Sequence, residues 1–232
     1  MKIEQLAKEA EKLNLTLTPK MEEQLRTYAR LLKEWNEKIN LTAITEPDQI
    51  AEKHFYDCML ALSAHMPQGS LCDVGSGAGF PGLVFKILLP ELHVTLLEPT
   101  QKKGLFLQET VNQLGLQGVD IVCERAEDYA KTHREIFDTV TARAVASLNV
   151  LAELCIPLLK IDGIFLVMKG SRALEESEEA QHAIQVLGCQ EKAVHTEHLP
   201  DGSGRINLTY AKVRHTPLEY PRAYGRIKKK PL

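Results

Sequence analysis

The stretch Asp73-Val74-Gly75-Ser76-Gly77-Ala78-Gly79-Phe80-Pro81-Gly82 restricts the fold more than any other part of the chain. Leu71-Cys72-Asp73-Val74 before it reads as a short strand, and Leu83 to Leu89 after it reads as a helix. A glycine turn between a strand and a helix lets a ligand approach backbone N–H groups at the helix N-terminus. Pro81 suits the first turn of the helix that follows.

The alternation continues downstream. Strands are expected at His93–Glu98, Val119–Glu124, Phe137–Thr141 and Gly163–Met168, then at 190–196 and 205–213. Helices are expected over 102–115, stopped at Gly115, over about 147–159, and from Glu175 to Leu187. Strands separated by helices imply a doubly wound, mostly parallel sheet, and the last two strands imply an antiparallel hairpin. Residues 1–65 carry helical periodicity instead. Leu25, Tyr28, Leu31, Leu32, Trp35 and Ile39 form one apolar stripe, Thr18-Pro19 starts that helix, and Glu46-Pro47 starts another. The expected division is a helical segment at 1–65 packed on the core, a catalytic domain at 66–215 and a basic tail at 216–232.

Composition narrows the class. No apolar run is long enough to span a bilayer, and the opening Met1-Lys2-Ile3-Glu4-Gln5 lacks a signal pattern, so a cytoplasmic protein is expected. Five cysteines without a C-x-x-C pair suggest buried thiols, not a disulfide framework or a zinc site. His195-x-x-His198 lacks a third ligand, so no metal is expected. Charge is uneven: residues 1–204 carry a net −10 and residues 205–232 a net +7. A basic end on an acidic body suggests a phosphate-bearing partner, although a solvated tail has the same composition.

Two ligands fit the glycine turn. Gly77-x-Gly79-x-x-Gly82 with Glu98 downstream satisfies the dinucleotide fingerprint of an NAD-dependent oxidoreductase. Asp73-x-Gly75-x-Gly77-x-Gly79 has the form of the S-adenosylmethionine loop of class I methyltransferases. The second is favoured. Asp73 can face the ammonium of a methionine moiety but would repel a pyrophosphate. Glu98 is placed for two ribose hydroxyls, and Glu127, after the third strand, for the exocyclic amine of adenine. The fourth strand leads into Thr141-Ala142-Arg143-Ala144, not the Asn/Asp-Pro-Pro-aromatic segment typical of amino methylation. No cysteine is placed to add to a pyrimidine ring. The acceptor should therefore own a free lone pair, as guanine N7 does, and no catalytic base is assigned.

At these residues the chain resembles the bacterial small-subunit ribosomal RNA guanine-N7 methyltransferase family, known as RsmG or GidB (glucose-inhibited division protein B). The marks are Trp35-Asn36, Ile39-Asn40-Leu41-Thr42, His54-Phe55-Tyr56-Asp57, the glycine turn, Thr141 to Ala146, Pro157-Leu158-Leu159 and Met168-Lys169-Gly170. The resemblance covers nearly the whole chain. It departs at Cys58 after Asp57 and at Glu98-Pro99-Thr100, where the carboxylate is kept. It implies a class I, Rossmann-like fold with a seven-stranded sheet and an N-terminal helical extension. It also implies methyl transfer from S-adenosylmethionine to N7 of one guanine in 16S rRNA, and cofactor contacts from Gly75, Phe80, Ala126, Glu127 and Arg143.

Other residues have open roles. Arg143 could bind the donor carboxylate or an RNA phosphate, and Lys169 could face RNA. Arg222, Arg226 and Lys228 could neutralise phosphates, with Tyr220 and Tyr224 available to stack. His54 and Asp57 share a helix face, where a structural hydrogen bond is expected, and Asn40 is a candidate anchor for the turn before them. The expected partner is the small ribosomal subunit, met by a monomer. A non-catalytic RNA-binding assembly factor remains the rival from another class.

Overall fold

The computed structural model describes residues 1–143 and 146–232. Ala144 and Val145, part of the Thr141–Ala146 mark, lie outside the described residues. Seven strands form one sheet: β1 (Ser70–Val74), β2 (His93–Leu97), β3 (Val119–Val122), β4 (Phe137–Arg143), β5 (Leu159–Lys169), β6 (Cys189–His198) and β7 (Gly204–Lys212). Their order is β3-β2-β1-β4-β5-β7-β6. β1 pairs parallel with β2 and β4, while β7 runs antiparallel to β5 and β6. The order reverses between β1 and β4, and crevices of this kind bind ligands outside the carboxyl ends of the strands.

The sheet is covered on both faces. Leu71 and Leu166 pack with the N-terminal helices α1 (Leu6–Glu11) and α2 (Pro19–Asn36). The same face carries α5 (Gly82–Leu88) and α6 (Gln101–Leu114). Cys72, Val140 and Phe165 face the other way. They pack with α7 (Ala126–Tyr129), α8 (Leu148–Cys155) and α9 (Ala173–Val186). The stripe on α2 is core: Leu25, Tyr28, Leu31 and Leu32 are buried. Thr18 caps that helix through the Met21 N–H, and α6 stops at Gly115 in the left-handed region.

Three segments differ from the periodicity reading. The helix begun at Pro47 changes winding: α3 (Pro47–Ile50) leads into a π-helical segment, Ala51–Tyr56, and then α4 (Asp57–Ala64). π-Turns recur at functional sites, and this one carries His54. β5 begins at Leu159, not Gly163. The pairing with β4 slips between Phe137 and Thr139, so Gly163 marks an irregularity inside the strand. A side chain on Gly163 would meet the carbonyls of Lys160 and Asp138.

The third difference is the basic tail, which is folded. Arg134 donates to the carbonyls of Thr216, Pro217 and Tyr220. The chain then forms α10 (Tyr224–Lys229), with Ile227 fully buried against the α8 face. A three-turn signal was never available for so short a helix.

Candidate active site

Two buried acids build the glycine turn. Asp73 on β1 is fully buried, and its Oδ2 accepts from the Gly82 N–H at 2.8 Å, which pins the start of α5. Its Oδ1 has no partner among the described residues. Burial pushes the Asp73 carboxyl up to about 7, although the Gly82 N–H and the charge of Arg143 pull the other way. Glu98, just past β2, accepts from Gly77 at 3.0 Å and Thr100 at 2.9 Å. It ties the turn to the second strand. Gly82 must be glycine, because a Cβ would meet Asp73 Oδ2 at 2.9 Å and Leu96 at 2.6 Å. Gly79 combines a φ of +92° with the Tyr28 hydroxyl 2.7 Å from where its Cβ would stand.

The N-terminal helices complete the site. The Tyr28 hydroxyl donates to the Ala78 carbonyl inside the turn. Phe80 stacks between Tyr28 and His54, with ring centroids 5.1 and 4.4 Å apart. The Arg143 guanidinium lies 4.9 Å from the Phe80 ring centre. Arg143 also donates to Asp57 Oδ2 at 3.1 Å, to the Lys53 carbonyl at 3.3 Å and to His54 Nδ1 at 3.2 Å. Burial and the Arg143 charge hold His54 down to about 3, so it is neutral near pH 7. The permanent charge on Arg143 makes His54 Nδ1 an acceptor. Nε2 then carries the proton and donates to Thr42 Oγ1 at 3.0 Å. The 3.1 Å approach of Nδ1 to the Lys53 carbonyl consequently carries no proton.

Two clefts share this wall. One, of about 390 Å³, is lined by the Gly75–Ala78 turn, Thr42, His54, Phe80, Glu98 and Arg143. The other, of about 560 Å³, is lined by Lys53, His54, Asp57, Arg143, Lys169 and Arg205 among others. A separate groove of about 430 Å³ between α9 and β6 contains none of the expected site residues.

The expected residues separate into three groups. Gly75, Gly77, Phe80, Glu98 and Arg143 meet in the smaller cleft, with Asp73 and Gly79 directly behind its wall. Ala126 and Glu127 are buried at the start of α7 and line neither cleft. Glu127 instead lines a hollow of about 160 Å³ with Arg222 and Tyr224. The surface basic residues divide. Lys169 is not spread over the surface: its side chain is 9% exposed and donates to Glu176 and the Ala146 carbonyl. Arg222 grips Glu153, a carboxylate with no exposure, through its Nε and Nη2. That ion pair corrects its expected place on a free phosphate-binding tail, because a buried acid needs the partner more than solvent does. Arg226 and Lys228 stay exposed on α10.

Other features escaped the sequence. Arg205 stood out only as one charge of the basic end, yet its Nε reaches Asp57 Oδ1 at 2.8 Å. Asn36, not Asn40, anchors the turn before the π-segment, accepting from Leu41 and Thr42 at 2.8 and 2.9 Å. Tyr28 read as plain core, and its hydroxyl was the one available signal of a polar task.

These residues suit a ligand that carries an ammonium and a ribose. The unpartnered Asp73 Oδ1 and Ser76 Oγ leave acceptor capacity at the turn. Glu98 faces the cleft, while the N–H groups of Gly75, Ser76, Gly77 and Gly79 are already bonded within the protein and hold the turn in shape.

The comparisons agree on a lineage. Residues 21–203 match the GidB family, described as rRNA small subunit methyltransferase G. A protein of Oceanobacillus iheyensis named ribosomal RNA small subunit methyltransferase G is 43% identical over 237 aligned positions, covering 100% of both chains. A Staphylococcus aureus protein of the same name is 45% identical, covering 100% of this chain and 99% of its own. Among solved structures, a 16S rRNA adenine-N1 methyltransferase with cosubstrate SAM superposes with a TM-score of 0.52 at 14% identity, over 70% of this chain and 92% of that one. A precorrin-6y C5,15-methyltransferase from Geobacter metallireducens gives 0.53 at 14%, over 76% and 92%. At such identities the structures speak for the fold alone.

Proposed function

The chain belongs to the rRNA small subunit methyltransferase G family, and from that premise we propose that it methylates N7 of a guanine in 16S rRNA of the small ribosomal subunit. Its methyl donor is S-adenosylmethionine, which supplies an electrophilic methyl group on a sulfonium. The fold is that of the class I methyltransferases.

The state of the acids and the imidazole at the two clefts carries the choice of N7. Asp57 is shared by two arginines, and Glu98 is bound by two backbone N–H groups. Glu176 holds Lys169. His54 is neutral, with Nδ1 occupied by Arg143. Among the described residues lining these clefts, none of these groups is free to remove a proton. An acceptor with a bare lone pair needs no such group, and guanine N7 is one. Catalysis then consists of aligning that lone pair with the methyl–sulfur bond. The positive charge appears on the purine as it leaves the sulfur, so no new charge has to be neutralised.

The residues divide the work of binding. The Gly75–Gly79 turn forms the wall against which the methionine end lies, and Asp73 sets the turn and favours its ammonium. Glu98 receives the ribose hydroxyls. Ala126 and Glu127, which follow β3 beside the end of β2, take the adenine end. Phe80, backed by Tyr28, gives an apolar wall near the reacting centre, and Arg143 orients the donor carboxylate. The enzyme works in the cytoplasm as a monomer. Among the described residues no helix is long and apolar enough to cross a membrane.

The test is transfer of labelled methyl to small subunits from a strain lacking this protein, with the modified base identified by mass spectrometry. Label in 7-methylguanine of 16S rRNA is the expected result. Label in another base would refute N7, and donor binding without any transfer would favour an RNA-binding assembly factor.

A further inference from the structure

We propose that the larger cleft seats a backbone phosphate of the RNA beside the target nucleotide, with Arg205 and Lys53 as the phosphate-binding residues. This rests on the reading as an RNA methyltransferase, and it concerns how the acceptor is held.

The cleft adjoins the donor side through His54 and Arg143, which line both cavities. A nucleotide whose base reaches the donor brings its own phosphates with it, and this is the adjoining space. Four cations line the cleft, Lys53, Arg143, Lys169 and Arg205, against the acids Asp57 and Glu176. That surplus stands out on a body whose first 204 residues carry a net −10. The four come from four elements: the π-segment, the end of β4, the end of β5 and the start of β7. Because β7 runs antiparallel, Lys169 at the end of β5 pairs with Ile206, next to Arg205.

The cations differ in what they have left to give. Lys169 is spent on Glu176 and the Ala146 carbonyl, and Arg143, held by Asp57, His54 and Lys53, is the cation assigned to the donor carboxylate. Arg205 holds Asp57 through Nε, and the Gly204 carbonyl through Nη1 at 2.9 Å. Its Nη2 donates to no group among the described residues. Nε and Nη1 therefore fix the guanidinium, and Nη2 is the group left to donate to a phosphate oxygen. Asp57 is one carboxylate serving two guanidiniums, so this trio keeps a positive charge for an anion. Lys53 lies at the mouth, paired with Asp201 at 3.1 Å and 35% exposed, free to exchange a partly solvated acid for a phosphate.

The experiment compares Arg205→Gln and Lys53→Gln with the unmodified enzyme. Methylation is followed against rRNA concentration over a salt series, and donor affinity is measured by calorimetry. Each variant should raise KM for the RNA by about five- to tenfold and flatten the salt slope by about one unit. Donor affinity and kcat at saturating RNA should stay within about threefold. Arg205→Gln also removes an ion pair, so its melting temperature is checked, and Lys53→Gln provides the reading if that variant unfolds. Folded variants with unchanged KM and salt slope would overturn the proposal. So would a loss confined to kcat or donor affinity, which would make Arg205 only a support for Asp57. If the unmodified enzyme labels no rRNA, the functional reading fails; direct RNA binding by the same variants then still tests the phosphate site.

Discussion

The molecule has two clusters of cations, and they do different work. The C-terminal cluster is conspicuous in sequence, with Arg222, Arg226 and Lys228 to Lys230 within nine positions. In the fold Arg222 neutralises the buried Glu153, and the chain around it is strapped to Arg134. The other cluster, Lys53, Arg143, Lys169 and Arg205, is dispersed over 153 positions and meets only at one end of the sheet. A run of charge reports local composition, whereas a charged site is made by topology. The contrast predicts a division: breaking the dispersed cluster should damage donor positioning or the seating of the RNA at the site, and breaking the contiguous one should damage stability or non-specific RNA contact.

The largest effect is expected at Arg143. Arg143→Ala removes the contacts to Asp57, His54 and the Phe80 face together. Misplacement of reacting groups by about 1 Å costs on the order of 100-fold in rate. Single-turnover methylation should fall at least that far, and a loss below tenfold would break the contrast. Arg222→Ala should do the reverse. It strands a fully buried carboxylate, so unfolding in urea should show a loss of about 3–5 kcal/mol. Donor affinity by calorimetry should not change. A loss of donor binding equal to the loss of stability would show that the strap belongs to the site.

Asp73 gives an intermediate effect, read through pH. Its carboxyl is raised from 3.8 to about 7 in the fold. The folded protein therefore keeps a proton that the unfolded chain releases between these values. The Asp73 contribution to stability is fully present below about 4, falls as pH rises and is gone above about 7. Denaturation at a series of pH values should show this decline, and Asp73→Asn should flatten it. An unchanged slope in the variant would mean that the Asp73 proton is not the one released.

The glycine turn and the wound sheet with its closing hairpin were legible because they follow from short-range rules. Gly75, Gly79 and Gly115 sit at positive φ, and strand–helix alternation dictates a wound sheet. The wall of the site was not legible. Asp57 meets Arg205 across 148 positions, and Tyr28 meets Ala78 across 50; no periodicity encodes such pairs. The π-segment was hidden for a related reason. Its sequence, Ala51–Tyr56, carries no proline or glycine to announce a change of winding, and five of its six residues are buried. The tail misled in the opposite direction, since its charges are evident and the buried Glu153 that claims one of them lies 69 positions away.

The smallest effect belongs to the charges left over on the strap. Arg226 and Lys228 are exposed on α10, which packs against α8 on the face of the sheet opposite α2 and α5. A phosphate met there lies across the sheet from the helices that wall the donor cleft, so it would add affinity without choosing the base. Changing both to Gln should lower the slope of log K against log salt by about one unit per lost contact. The maximal rate and the identity of the methylated base should hold, which separates this pair from Arg205, where the KM penalty persists in the presence of an intact strap. If the double variant leaves the slope unchanged, the strap makes no contact with RNA, and the contiguous cluster is a device of stability alone. If it shifts the label to a second base, the contiguous charges help to choose the nucleotide, and the division between the two clusters fails.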